Sequence, residues 1–237
     1  MDIFVINLAR RQDRWHEISN HLTSLGLDFA RVEAIDGLML DENHCSLVPR
    51  AVDACWQSHQ KVFALVAQKP GKNCLVLEDD ATLNADVNWA RLLNTLDEYI
   101  ARASIDVLQL GFIEPTSNMG FDTAVRAALG CAYHSVFSRR TIVDNRWRCI
   151  ADAPEKLELV PDSFRAGTHC YVLSHRAARA FLGFNTPAFM APDDFFVAIA
   201  QDAYHRRFKI ARVKKSLAIQ RSRVRGRIVD SDLWPES

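Results

Sequence analysis

The chain has 237 residues, 49% of them hydrophobic and 24% charged, a make-up that fits a soluble globular protein and excludes a disordered one. Lysine plus arginine equal aspartate plus glutamate at 29 each, so no overall field points to nucleic acid or to an acidic partner. The six cysteines stand singly, without a Cys-x-x-Cys pair, and resemble neither a zinc site nor a disulfide framework; they read as reduced cytosolic thiols.

Ile3 to Leu8 reads as a first buried strand ending near Asn7. The start lacks the basic residues and longer apolar core of a signal peptide, so a cytoplasmic protein is expected. Arg10, Arg11 and Arg14 follow at once; they either pair with a diphosphate, whose oxygens match guanidinium forks, or form a solvated first turn. Trp15, Ile18, Leu22 and Leu25 keep helical spacing up to Gly26. Phe29 to Ile35 reads as a second strand closed by Asp36-Gly37. An acid there meets a ribose or base in nucleotide-binding α/β folds, although Asp-Gly is equally a plain turn. Val52 to Ala67 predicts a helix with Ser58-His59 at its middle, where a histidine is more often packed than a ligand.

The apolar run Cys74-Leu75-Val76-Leu77 then stops on Glu78-Asp79-Asp80. A run that short and apolar fits a strand buried on both faces, and ligands of open α/β sheets bind at the strands' carboxyl ends. Adjacent acids repel unless a cation neutralises them, and hard ions such as Mg²⁺ or Mn²⁺ take oxygen ligands; the alternative is a solvated acidic turn. Trp89 to Ala103 predicts a further helix and Ile105 to Leu110 a strand, an alternation that implies a mostly parallel sheet. From Phe112 to Asp162 no period holds, and acceptor recognition is assigned to this region.

Gly167 to Ser174 reads as a strand entering a helix, His175 to Leu182. Pro192-Asp193-Asp194 opens another helix, its acids serving either as capping charges or, one of them, as a general base. Ile210 to Val213 and Leu217 to Gln220 are the last strands. Arg221, Arg223, Arg225 and Arg227 then read as diphosphate ligands, as a patch for peripheral contact with anionic membrane at its inner face, or as a solvated tail. The expected organisation is one domain over residues 1–220, with 112–165 a variable acceptor-side region and 221–237 a basic tail.

Several of these stretches, in this order, resemble the successive motifs of glycosyltransferase family 25, which holds bacterial lipopolysaccharide and lipooligosaccharide β-galactosyltransferases and animal collagen galactosyltransferases. They are Phe4 to Leu8 with Arg10, Arg11 and Arg14; Ala34-Ile35-Asp36-Gly37; Cys55 with Ser58-His59; and Leu77 to Asp80. Gly167-Thr168 with Tyr171, the Asp193 segment, and Gln220 before a basic tail extend the likeness. Ala54 stands where the family has a glycine. The resemblance implies an α/β fold of the GT-A type, a Rossmann-like, mostly parallel sheet flanked by helices. It further implies inverting transfer of a hexose, galactose by family preference, from a UDP-sugar to a hydroxyl of a glycan or lipid-linked glycan, with Mn²⁺ or Mg²⁺ and no nucleic acid.

Residue by residue, the resemblance places Asp80 and Asp79 on the metal, with His169 as a distal ligand, and Glu78 and Asp79 on the sugar nucleotide. Asn7, Leu8, Arg10 and Arg14 hold the nucleotide and Asp36 its uridine or ribose, with Ser58, His59 and Gln220 completing the donor site. Asp193 is the base and Asp194 its alternate. Two competing functions remain open: a metal-dependent nucleotide-sugar phosphohydrolase, and a non-catalytic carbohydrate-binding protein of the same fold.

Overall fold

The computed structural model describes residues 1–41, 46–113, 149–150, 153, 156–201, 208–224, 227–228 and 230. Most of the expected acceptor-side region, together with Arg225 and residues 231–237 of the tail, lies outside the described residues. In chain order the sheet strands are β1 (Asp2–Asn7), β2 (Ala30–Glu33), β3 (Cys74–Glu78), β4 (Ala81–Leu83), β5 (Val107–Gly111), β6 (Cys149–Ile150), β7 (Leu157–Pro161), β8 (Cys170–Leu173), β9 (Ile210–Val213) and β10 (Ala218–Gln220). The helices are α1 (Gln12–Ser24), α2 (Arg50–Ala67), α3 (Trp89–Ala103), α4 (His175–Phe181) and α5 (Pro192–Gln201). Among the described residues no helix is long and apolar enough to cross a membrane.

The sheet runs β2-β1-β3-β8-β5-β9-β7-β6, with β10 bridging β4 and β5. It is mixed: β1 lies parallel to β2 and β3, and β5 parallel to β9, but β8 inserts antiparallel between β3 and β5. No crossover helix leads into β8 among the described residues, so the alternation that aligns β1, β2, β3 and β5 does not govern it.

Alternation along the strands explains their continuous apolar reading. Ile3 and Val5 of β1 and Leu75 and Leu77 of β3 face one core with Ile18 and Leu22 of α1 and Leu92 and Leu96 of α3. Phe4, Ile6, Cys74 and Val76 face the other core with Trp56 and Phe63 of α2, Phe181 of α4 and Phe195 and Phe196 of α5. Both faces are buried, so neither strand shows a polar period. The starts of α3 and α4 are set by short polar caps: Asn88 Oδ1 accepts from Arg91 N at 3.1 Å and Ser174 Oγ from Ala177 N at 3.1 Å.

Register places the site. Val5 pairs with Leu77 and Ile6 with Glu78, while Asn7 pairs with Glu33, so the carboxyl ends of β1, β2 and β3 finish level at one edge. On the far side of the acids, β4 pairs antiparallel with β10, setting Gln220 opposite Ala81. The stretch expected to be irregular up to Asp162 contains β7, in which buried Leu157 and Leu159 flank exposed Glu158; Leu157 pairs with Ile150 of β6, and Leu159 to Pro161 pair with β9. Five residues of period 2 are too few to stand out beside aperiodic neighbours.

The second core is rich in aromatic rings: Phe196 lies 4.9 Å from Phe164, 5.3 Å from Tyr171 and 5.5 Å from Phe195, centroid to centroid. Phe196→Ala removes a ring at the meeting point of α2, α4 and α5 and is expected to cost ~3–5 kcal/mol. Urea unfolding followed by tryptophan fluorescence measures it; a loss under about 1 kcal/mol contradicts this packing role.

Candidate active site

Glu78 ends β3, and Asp79 and Asp80 occupy the turn into β4. The three acids meet different partners. Asn7 Nδ2 donates to Asp79 Oδ2 at 2.7 Å, and Arg14, reaching in from the first turn of α1, donates to Asp79 Oδ1 at 3.1 Å. Ser222 Oγ donates to Asp80 Oδ2, whereas Asp80 Oδ1 is buried and has no hydrogen-bond partner among the described residues. Thr168 Oγ1 donates to Glu78 Oε1 at 2.5 Å, and His59 Nε2 stands 3.4 Å from the same oxygen. His59 Nδ1 lies 2.8 Å from Tyr171 Oη.

Burial governs the charge of this cluster. Asp79 is 6% exposed and Asp80 5%. Loss of water pushes Asp79 up to about 6 against the pull of Arg14 and Asn7. It pushes Asp80 up to about 6 as well, helped by the charge of Glu78 and opposed by Ser222, Arg14 and Gln220. Burial also works to raise Glu78, but His59 and Thr168 outweigh it and hold this carboxyl below its ordinary value. For Arg14 burial works against the charge, and Asp79 and Asp80 more than restore it. The Cys55 thiol is raised well above its ordinary range by burial first and then by Glu78, Asp193, Asp80 and Asp79.

Above the acids lies a cleft of ≈ 510 Å³. Its far wall is the Asp36-Gly37 turn packed on the start of α2, where a Cβ on Gly37 would stand 2.7 Å from Ala51 Cα; only glycine permits that approach. Asp36 Oδ1 accepts from Leu38 N at 3.0 Å and Asp36 Oδ2 from Arg10 Nε at 2.7 Å. Burial raises Asp36, but those two donors hold its carboxyl below the ordinary value. The cleft is therefore acidic at its floor, basic along one side through Arg10 and Arg14, and closed at one end by a turn with an oriented carboxylate.

Residues 1–197 match the family model described as glycosyltransferase family 25 (LPS biosynthesis protein). The chain belongs to glycosyltransferase family 25. Two procollagen galactosyltransferases of Xenopus laevis are similar to it: 1-B is 25% identical over 227 residues, covering 86% of this chain and 31% of that protein, and 1-A is 27% identical over 129 residues, covering 46% and 21%. The chain thus spans less than a third of the length of these curated relatives. Its α/β architecture, a mixed sheet flanked by helices, is the GT-A-like one of the family.

Within this family 25 chain the cleft collects Leu8, Arg10, Arg14, Asp36, Ser58, His59, Glu78, Asp79, Asp80 and Gln220, all expected from sequence. Other expected residues sit elsewhere. Asn7 is behind the lining, 1% exposed, and acts on Asp79. His169, expected as a distal metal ligand, is fully buried outside the cleft lining, with its Nε2 3.4 Å from Ala218 O; added Cβ atoms at Gly111 and Gly167 would come within 2.7 and 2.9 Å of its ring. Asp193 is also off the lining, its Oδ2 accepting from Gly167 N at 3.2 Å and its Oδ1 from Asp194 N at 3.1 Å. Asp194 is raised by burial and by the charge of Asp193.

Residues past position 220, expected to begin a tail, reach the site. Arg221 Nη2 donates to Asp79 O at 3.0 Å, Ser222 grips Asp80, and Asp230 pairs with Arg11 at 2.7 Å and Arg14 at 3.0 Å. No local pattern marks Ser222 or Asp230, because their partners lie far back in the chain.

A hard divalent cation fits these donors: Asp79 commits both oxygens to Asn7 and Arg14, but Asp80 keeps one buried oxygen unpaired next to Glu78. The raised acids carry a pH signature. Their unfolded value is 3.8 and their folded value about 6, so the stability they contribute is complete below 3.8 and is lost as pH rises through about 6. Asp80→Asn is accordingly expected to raise the melting temperature of the metal-free chain at neutral pH and flatten its fall between those values. A variant that melts lower than the parent at neutral pH, with an unchanged pH profile, contradicts the strained-carboxylate reading.

Proposed function

We propose that this chain is an inverting, metal-dependent glycosyltransferase that moves a hexose, galactose in the first instance, from a UDP-sugar to a hydroxyl of a glycan or lipid-linked glycan acceptor. The observation that carries the reading is the unpaired Asp80 oxygen beside Glu78 and Asp79 at the floor of a cleft flanked by Arg10, Arg14 and Asp36. The names of the similar procollagen galactosyltransferases support galactose as the sugar, and the family description supports surface-glycan synthesis as the setting.

In this reading Asp80, with Glu78 and Asp79 beside it, holds Mn²⁺ or Mg²⁺, which when bound neutralises the diphosphate leaving group as a Lewis acid. Arg10 and Arg14 turn guanidinium forks toward the same diphosphate, each exchanging part of its present pairing with Asp36 and Asp230. Asp36, at the closed end, accepts from the ribose or base. Leu8, Ser58 and Gln220 shape the donor pocket between them.

Transfer with inversion needs one base on the face away from UDP. Asp193 is assigned that role: the Gly167 and Asp194 amides fix its carboxylate at the start of α5, and its charge reaches the Cys55 thiol in the cleft. It takes the acceptor hydroxyl's proton as the oxygen attacks the anomeric carbon and the bond to UDP breaks. Asp194, raised by burial, is the alternate. Arg221 turns inward to Glu17 and Asp79, which favours a site role over membrane contact for this residue.

The test combines thermal shift with product analysis. UDP-galactose with Mn²⁺ is expected to stabilise the parent chain by ~2.7 kcal/mol at a hundredfold excess over its dissociation constant. Asp80→Ala loses both that shift and transfer, while Asp193→Asn keeps the shift and loses about 10²–10⁴-fold in transfer. Wild-type turnover by Asp193→Asn refutes the base assignment, and UDP-sugar consumed without a glycosylated product establishes the phosphohydrolase instead.

A further inference from the structure

On another wall of the same cleft lies a donor set of different chemistry. Cys55 and His59 are four residues apart on α2, so both side chains leave the helix on one face, and the end of β3 brings Glu78 against them. The Cys55 Sγ, a His59 ring nitrogen and a Glu78 carboxylate oxygen all lie within 4.8 Å of one another. Cys55 and Glu78 are partly exposed and His59 is fully buried, yet all three line the cleft.

Two features of His59 point to a ligand. Its buried Nε2 makes no hydrogen bond of proper geometry, standing 3.4 Å from Glu78 Oε1. A direct N–H···O bond closes to about 2.9 Å. Two ligands held at ~2.0–2.1 Å on one tetrahedral ion instead stand about 3.3–3.4 Å apart, which is the separation found. The other nitrogen, Nδ1, faces Tyr171 Oη at 2.8 Å, the kind of outer hydrogen bond that fixes the tautomer of a metal-bound imidazole. Tyr171 and Thr168, on Glu78, serve as the outer partners of two of the three donors.

We propose that Cys55, His59 and Glu78 form a three-ligand site for a zinc-class divalent cation, with the fourth position open to the cleft. The sulfur and imidazole donors select this class over Mg²⁺ or Mn²⁺, which suit the oxygens of Asp80. On loading, the Cys55 thiol gives its proton to solvent and a sulfur–metal bond forms. Neutral His59 donates the Nε2 lone pair with its proton on Nδ1 toward Tyr171, and Glu78 binds as the carboxylate. Nothing is oxidised or reduced. The site shares Glu78 with the acid cluster and a wall with the proposed donor cleft, while Cys55 and His59 stand outside that cluster.

Co²⁺ serves as the probe. The chelator-treated full chain is titrated with Co²⁺, following thiolate-to-cobalt charge-transfer absorption and uptake by equilibrium dialysis. One equivalent that carries a charge-transfer band is expected, displaced by equimolar Zn²⁺ and not by equimolar Mn²⁺; cobalt held by the oxygens at Asp80 adds no such band. Cys55→Ser loses the band and weakens uptake of the band-forming equivalent at least ~10-fold, the scale on which metal sites lose affinity when their surroundings are disturbed; His59→Gln also weakens that uptake, and Asp80→Asn keeps the band and its equivalent. Absence of the band in the parent chain, its survival in Cys55→Ser, or its loss in Asp80→Asn overturns the proposal. The parent measurement decides even where a variant fails to fold, and UDP binding measured without cobalt is a separate readout.

Discussion

Three carboxylates crowded at the end of one strand, two of them almost out of water, are the constraint around which the rest of the chain is arranged. Beside the cluster Arg14 is the buried cation, and it divides its pairing between Asp79 and Asp230. Burial, joined by the charge of the neighbouring carboxylates, outweighs that pull, and Asp79 and Asp80 are pushed up to about 6. Replacing their protons by a divalent cation relieves the desolvation cost and the mutual repulsion together. The stability forfeited in the metal-free chain is the counterpart of a site ready for a charged ligand.

The fold supplies what the acids need from both ends of the sequence. Parallel pairing of β1 with β2 and β3 levels Asn7, Asp36 and Glu78 at one edge, where oriented groups from separate strands converge. The antiparallel pairing of β4 with β10 returns the C-terminal segment to the same edge and delivers Ser222 to Asp80 and Arg221 to the Asp79 backbone. The aromatic core beneath α2, α4 and α5 fixes the helix that carries Ser58 and His59 and the helix start that carries Asp193. Acid floor, basic flank and prospective base thus hang on one sheet, which keeps their spacing from depending on loops alone.

Much of this was legible in the residues. The strand ending at Glu78 was announced by its doubly apolar run, and α3 matches its expected bounds, Trp89–Ala103, because its apolar period is strong and Asn88 caps it. What stayed hidden depends on contacts between distant positions. β8 reads like any other buried strand, and nothing in Cys170–Leu173 says that it runs against its neighbours. Nor does Ser222 advertise Asp80, or Asp230 advertise Arg11 and Arg14. Cysteines without a Cys-x-x-Cys pair looked inert, yet the Cys55-x-x-x-His59 spacing becomes a donor pair once β3 sets Glu78 beside it. His169, chemically able to bind metal, lies fully buried and off the cleft lining, with Gly111, Gly167 and Ala218 close about its ring.

The arrangement stands or falls on where a cation settles when UDP is present. Anomalous diffraction at the manganese edge from crystals grown with Mn²⁺ and UDP reads this directly. A single strong peak in contact with Asp80 Oδ1 and with a diphosphate oxygen is the expected result. A well-ordered diphosphate with manganese bound away from Asp80, or UDP ordered outside the cleft above β1 and β3, would contradict it.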